Sequence, residues 1–483
     1  MDIFSAIFIF FACALLGILL AVLGLIVKIY SGKSIGNPNY PPVDGTVFHH
    51  ECYTTDVRNI EHILKTKFDK YVKGEYMMDI IRDLFGEGIF AVNGGKWRQQ
   101  RKLASHEFST RVLRDFSCAA FRRSAAKLAR IVLEISKAKQ SFDIHDMLMR
   151  YTLDSIFKVG FAVDLNCLEG TNKEGVEFMK AFDEANALVY WRFVDPSWKL
   201  KRALNITSES VLRWNIKVID EFVHGLIKKK RRQLFKYHTT DMKEDILSRF
   251  LQESEKDPDQ ITDQYLRDII LNFMIAGKDS TANTISWFIY MLCKNPLVQE
   301  KIHQEVEEFI NGAKNAIDIN EFVEQITDEK LEKMHYLHAS LTETLRLYPG
   351  VPVDGRTALE DDVLPDGYKV KKGDDVYYLA YAMGRMPYLW GDDAEDFSPE
   401  RWLDHSGVFQ PESPFKFIAF HAGPRICLGK DFAYRQMKIV SIVLVQLFRI
   451  ALADENRRVT YRTMLTLHLD GGLHVCALPR FQG

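Results

Sequence analysis

One cysteine stands where it could be held as a thiolate. Residues 414–429 read Pro-Phe-Lys-Phe-Ile-Ala-Phe-His-Ala-Gly-Pro-Arg-Ile-Cys-Leu-Gly, which sets Cys427 between Gly423 and Gly429. Glycines on both sides permit a tight loop and backbone angles that other residues avoid. Amide N–H groups in such a loop can stabilise an anionic sulfur, and a helix starting near Gly429 adds the positive end of its dipole. Arg425, two residues earlier, is placed to meet an anionic part of whatever the sulfur binds. The plain alternative is a buried cysteine ahead of a helix. The spacing of the whole segment favours a thiolate ligand.

Three other groupings could support it. Ala276-Gly277-Lys278-Asp279-Ser280-Thr281 lies in a long apolar-rich stretch and puts a carboxyl beside two hydroxyls, a pattern able to relay protons. Glu343 and Arg346 are one helical turn apart, ahead of the helix-ending Leu347-Tyr348-Pro349, and Pro399-Glu400-Arg401-Trp402 follows downstream. Trp97 and Arg101 have i, i+4 spacing. Alone, each would read as a solvated helix face or ordinary packing. His421, next to the loop, reads as a structural histidine.

The rest of the chain must position these residues. It has 483 residues, 47% hydrophobic and 27% charged, as expected of an ordered protein with a large core. Net charge is −2 with both signs interleaved, which argues against a nucleic-acid partner. The seven cysteines are scattered without a CxxC pair, against a disulfide framework or zinc site. Residues 3–27 carry no charge, long enough to cross a bilayer, which takes about 20 residues. Asp2 precedes the run and Lys28 and Lys33 follow it, so a transmembrane anchor at 1–30 is expected, with the bulk of the chain cytosolic. The sequon Asn205-Ile206-Thr207 would then stay unmodified. Prolines in 31–45 suit a stiff hinge.

Beyond it, helical patterns dominate: 57–66, 95–109, 112–136, 144–159, 208–236, 262–294, 296–309, 328–347 and 430–447. Strand-like stretches lie near 368–378 and 460–478. The densest charge run, 228–232, is expected to be a solvated helix end. One mainly helical domain with small sheets, 46–483, is the simplest account.

Phe420-x-x-Gly423-x-Arg425-x-Cys427-x-Gly429 resembles the haem-binding signature of cytochromes P-450 at every defined position. The resemblance implies the cytochrome P-450 fold, haem b (iron protoporphyrin IX), and Cys427 as the axial ligand of the iron. Thiolate ligation favours O–O cleavage. It implies cofactor contacts from Phe420, Arg425, Trp97, Arg101 and Arg356, and a buried structural cluster of Glu343, Arg346 and Arg401. It makes 276–281 the oxygen-activating segment, with Gly277 leaving room for dioxygen and Asp279, Ser280 and Thr281 relaying protons. Ser280 stands where the family usually has threonine.

The anchor and hinge resemble those of endoplasmic-reticulum members, which take electrons from NADPH through cytochrome P-450 reductase. Gly88–Gly94, Asp361–Gly367 and Tyr381–Met386 look most like plant fatty-acid ω-hydroxylases, which makes a hydrophobic substrate, a long-chain fatty acid, the expectation. Pocket residues by position are Phe273, Met274, Ala276, Val351, Val353 and Leu467. One departure is large: residues 49–58 replace a helix and two strands that the family normally has, so either the sequence is a splice or gene-model variant or the sheet is truncated, with an exposed edge. Two other functions fit less well. One is a reductase-independent enzyme rearranging fatty-acid hydroperoxides, from which the acid–hydroxyl pair is usually missing. The other is an inactive membrane haem-binding variant.

Overall fold

The computed structural model describes residues 16–17, 50–109, 111–237, 245–310 and 318–480. The expected anchor and hinge lie outside these residues, Leu16 and Gly17 excepted. Among the described residues no helix is long and apolar enough to cross a membrane.

The strands in chain order are β1 (Glu51–Thr54), β2 (Tyr71–Val72), β3 (Phe142–Asp143), β4 (Asp354–Ala358), β5 (Asp362–Val363), β6 (Lys369–Val370), β7 (Asp375–Tyr378), β8 (Phe448–Leu452), β9 (Thr460–Thr463), β10 (Leu467–Asp470) and β11 (His474–Pro479). The helices needed below are α1 (Val57–Glu61), α2 (Glu75–Phe85), α3 (Gly94–Ser109), α4 (Arg111–Lys137), α5 (Ile144–Phe161), α6 (Lys173–Trp191), α7 (Trp198–Leu204), α8 (Thr207–Tyr237), α9 (Ile246–Lys256), α10 (Asp263–Lys294), α11 (Pro296–Ile310), α12 (His335–Leu347) and α13 (Lys430–Leu447). The chain divides into two compact units, one containing the described residues up to Val72 with Gly355–Tyr378, the other Lys73–Asp354 with the chain from Leu379.

The smaller unit holds a four-stranded sheet in the order β1-β7-β4-β2. β1 runs parallel to β7, with Glu51 opposite Asp375, and β2 is antiparallel to β4. Ile60 and Ile63, on α1 and the turn that continues it, are buried with Val376 and Tyr378 of β7. Asp56 caps α1 by accepting from the Arg58 amide at 2.8 Å. Residues 50–58 thus supply one strand and a helix start. Among the described residues β1 has a strand on one side only and forms one edge of the sheet. Gly367, at φ +92°, makes the turn between β5 and β6.

The larger unit is built around α10, which is apolar-rich and buried on nearly every face, its polar residues included. Thr262 caps it, accepting from the Tyr265 amide at 3.2 Å. It packs on α5, α12 and α8. A three-stranded sheet, β3-β11-β8, and the β9–β10 hairpin complete the unit.

Two expectations need correction. The charge run 228–232 lies near the C-terminal end of α8 with Lys228, Lys229, Arg231 and Arg232 exposed as expected, but Lys230 is buried against Asp245 at 2.8 Å. A buried cation must be paired, and Asp245 supplies the charge. The continuous helix expected over 328–347 is broken at Met334. The Glu305 carboxylate accepts from the Tyr336 and Leu337 amides at 2.7 and 2.8 Å, so a side chain of α11 starts α12 afresh. Helices α2, α6, α7 and α9 were not expected, although α2 buries Ile80, Ile81, Leu84 and Phe85 with clear helical spacing.

Candidate functional site

The Cys427 loop is held by its own backbone. The Cys427 amide donates to the Phe420 carbonyl at 2.8 Å, and Ile426 closes a tight turn onto Gly423 at 3.0 Å. Gly423 has φ +64°, which the turn needs and glycine supplies at no cost. His421 also lies at positive φ, with Nδ1 3.7 Å from Asp354, a contact that ties the loop to that carboxylate. The Asp354 carboxylate is ion-paired with Lys73 as well. α13 begins at Lys430, one residue past Gly429, so its N-terminal end faces the loop.

α3 packs against this loop. The Arg425 guanidinium lies over the buried Trp97 ring, 4.5 Å from its centroid, and donates to the Val92 carbonyl at 2.8 Å and to Asn93 Oδ1 at 3.0 Å. Arg425 is therefore committed in large part to the segment before α3, and Asn93, which also bonds Lys73, is a partner that sequence reasoning missed. Burial pushes the Cys427 thiol up, while the Gly429 amide and the charges of Arg101 and Lys430 act the other way. Arg101 is half-buried and pairs with no carboxylate among the described residues. A desolvated cation acting on the Cys427 sulfur fits an anionic, metal-bearing cofactor. Cys427 would ligate the iron of haem b, and Arg101 and Trp97 would hold its acidic edge. Arg356 is buried on β4 of the smaller unit, where its guanidinium bonds the Gly355 carbonyl at 2.6 Å.

A second group of side chains converges on Gly350. A Cβ at Gly350 would lie 3.3 Å from Ser280 Cβ of α10, and the Gly350 carbonyl accepts from the Leu467 amide of β10 at 3.0 Å. Three separate segments, α10, 350–353 and β10, are thereby brought together. Ala276 is exposed and Phe273, Val351 and Val353 are half-buried, whereas Met274 and Leu467 are fully buried. Gly277 does not leave open space along its Cβ direction. A Cβ there would meet Ile156 Cδ1 of α5 at 2.6 Å, so the glycine serves close helix packing at that point.

Ser280 Oγ donates to the Ala276 carbonyl at 2.6 Å, one turn back on α10. Thr281 is buried. Asp279 is fully buried and turned away into the protein, where Lys278 and Asn186 bond its two oxygens at 2.6 and 3.0 Å. Burial alone would raise the Asp279 carboxyl, but the Lys278 and His468 charges outweigh it and hold it well below the usual carboxylate range. Nothing in the sequence marked Asp183, Asn186 or His468 as its neighbours.

Glu343, Arg346 and Arg401 do meet. Glu343 accepts two bonds from Arg346 at 2.7 Å, one from the Ser398 amide at 2.9 Å and one from Trp402 Nε1 at 2.8 Å. Arg401 Nε stands 3.5 Å away. Arg346 also donates to the carbonyls of Gly384, Ala394 and Asp396, which pins 384–402 onto α12.

Comparison with known proteins agrees with this arrangement. A family model described as cytochrome P450 matches residues 49–475. Cytochrome P450 704C1 of Pinus taeda is 50% identical over 91% of this chain and 92% of its own length. Cytochrome P450 704B1 of Arabidopsis thaliana is 45% identical over 89% and 86%, and cytochrome P450 86B1 of the same plant 39% identical over 88% and 77%. A thiolate loop, a charge cluster locked beneath α12 and an acid–hydroxyl pair on the central helix recur in one chain that matches that family over most of its length, and the protein belongs to the cytochrome P450 family.

Proposed function

We propose that this monooxygenase hydroxylates a long-chain fatty acid at its ω end. The observation that carries this reading is the apolar convergence around Gly350. α10 and residues 350–353 meet where Gly350 lies against Ser280, and the residues flanking that contact in the chain, Ala276, Val351 and Val353, are apolar and not fully buried. Such residues suit a hydrocarbon chain. The likeness of Gly88–Gly94, Asp361–Gly367 and Tyr381–Met386 to plant fatty-acid ω-hydroxylases supports it.

Haem b bound through Cys427 supplies the oxygen chemistry, with electrons from NADPH by way of a reductase as is standard for the family. The protein's own part is positional. Cys427 contributes the sulfur ligand, toward which the α13 N-terminus and Arg101 direct positive charge against the effect of burial. Ser280 holds a hydroxyl beside the apolar region, next in the chain to the Asp279 carboxylate. The pathway partner is cytochrome P-450 reductase. Residues 1–30 anchor the protein in the endoplasmic-reticulum membrane as a single pass, 31–45 form a hinge, and 46–483 form the cytosolic catalytic domain.

The test is product analysis with purified reductase, NADPH and fatty acids of several chain lengths, after a reduced, carbon monoxide-bound spectrum has verified thiolate ligation. ω-Hydroxy acids appearing only with reductase are expected. Turnover of fatty-acid hydroperoxides without NADPH, or no haem uptake, overturns the proposal.

A further inference from the structure

Aromatic side chains form a line from α10 to the surface of the larger unit. Trp287 of α10 stacks on Tyr348, with ring centroids 4.0 Å apart and planes 5° from parallel. The Arg385 guanidinium joins the next two rings, 5.3 Å from the Tyr348 centroid and 3.7 Å from the Tyr381 centroid. Tyr381 in turn meets Tyr461 of β9, centroids 5.5 Å apart. The line starts in the core and ends in water: Trp287 is 2% exposed and Tyr461 44%. Tyr290 stands edge-on to Trp287 at 5.7 Å, a side branch that meets no further ring among the described residues.

The inner end lies beside the region where α10 meets residues 350–353. Trp287 follows Ser280 by two helical turns, on the same face of α10 and about 10 Å along it. Tyr348 stands two residues before Gly350, which lies against Ser280. Packing alone would account for stacked rings. It does not account for Trp287 Nε1, which is buried without a hydrogen-bond partner, where a buried indole N–H usually has one. Every ring in the line is an indole or a phenol, and these give up an electron far more readily than a phenyl ring does.

Charge gives the line a direction. Arg385 opposes positive charge on the two rings it covers. Trp287 has no partner to take its proton. An electron hole therefore comes to rest only where a phenolic proton can leave, and Tyr461, at the surface, can hand its proton to water. The Tyr461 hydroxyl is close enough to that of Tyr381 to add to burial in pushing the Tyr381 phenol up to about 12.

We propose that Trp287, Tyr348, Tyr381 and Tyr461 form an electron relay that discharges an unused oxidising equivalent at the haem when no substrate is bound. One electron moves inward from Tyr461 through Tyr381, Tyr348 and Trp287 to the haem. The Tyr461 O–H bond breaks, its proton passes to water, and a neutral phenoxyl radical remains at the surface. A thiol from the medium then returns one hydrogen atom, which restores the phenol and leaves the thiol oxidised by one electron. The inference rests on the monooxygenase reading.

The test mixes substrate-free holoenzyme with hydrogen peroxide, freezes it rapidly and records its electron paramagnetic resonance spectrum. A tyrosyl radical is expected in the unsubstituted enzyme and in Tyr290→Phe. It should be lost in Tyr461→Phe and in Trp287→Phe. Tyr461→Phe keeps the ring on an exposed strand, so it carries the test even if the core substitution at Trp287 fails to fold. Glutathione should slow the bleaching of the haem by peroxide in the unsubstituted enzyme and not in Tyr461→Phe. A tyrosyl signal unchanged in Tyr461→Phe, or no protein radical in an unsubstituted enzyme whose haem peroxide has oxidised, would overturn the relay alone. Absence of the thiolate-type, carbon monoxide-bound spectrum in the unsubstituted enzyme would instead overturn the monooxygenase reading, and the relay with it.

Discussion

The Lys278 ammonium is 2.6 Å from a carboxylate oxygen of its sequence neighbour Asp279, and neither side chain reaches solvent. Adjacent residues on a helix do not usually face each other. Here both turn towards α6, where Asp183 shares the lysine at 2.6 Å. Lys278 is held charged because, although burial works against it, the two carboxylates outweigh that penalty.

Lys278→Met should therefore leave two buried carboxylates without their cation. A loss of about 3–5 kcal/mol is expected, since removing one partner of a buried pair leaves the other uncompensated. Denaturant unfolding of the holoenzyme measures it. Lys278→Met combined with Asp183→Asn should recover part of the loss, because one of the stranded charges goes too.

Glu343→Ala should be as damaging for a different reason. Four donors lose one acceptor, and the buried Arg346 loses its counter-charge. A loss of about 3–5 kcal/mol is again expected, with haem-free protein on expression. The ratio of haem absorbance to protein absorbance checks it.

Arg101→Met should weaken haem retention while the fold survives, because Arg101 is half-buried and pairs with no carboxylate among the described residues. Loss of a charge-assisted bond of about 1.5–3 kcal/mol corresponds to haem leaving at least about tenfold faster. Transfer of haem to an excess of apomyoglobin gives the rate.

Gly277→Ala should cost about 1–3 kcal/mol through overpacking against Ile156. Ile156→Ala, which removes both Cδ1 and Cγ1, should cost less in the Gly277→Ala background than in the unsubstituted protein. A double-mutant cycle on unfolding free energies would show the coupling, and additive effects would contradict the packing role.

Stability should fall in mild acid partly through His145. Its folded-state pKa is depressed to about 4, by burial first and the nearby His468 second. The unfolded chain therefore binds this proton more readily, so stability rises with pH between about 4 and 6.5 and is complete above that. About 3 kcal/mol is at stake in that window. His145→Gln should flatten the stability–pH curve there. His338, pushed down to about 3 by burial and nearby lysines, contributes in the same direction.

The chemistry of the cysteine loop was legible in the sequence because it is local. Gly423, Arg425, Cys427 and Gly429 lie within seven residues, and the hydrogen bonds shaping the turn run between near neighbours. The Glu343–Arg346 pair was legible for the same reason, one helical turn closing the contact. The long helices could be read from their helical patterns, α10 included, as a long apolar-rich stretch begun by a capping threonine.

The break at Met334 was not legible, because Glu305 makes it from another helix. Nor was the burial of Lys230, whose partner Asp245 lies beyond the end of α8. Gly277 looked like a gap and is a packing contact, since Ile156 reaches it from α5.

By itself the sequence determined the thiolate loop, the long helices and the residue types of the proton-bearing segment, since backbone turns and helical spacing depend on neighbours in the chain. Only the tertiary structure decided where Asp279 points and what surrounds it. Asp183, Asn186, Lys278 and His468 come from three elements widely separated along the chain. Burying them together forces their charges to balance, a requirement that arises only once the chain has folded and water has been excluded.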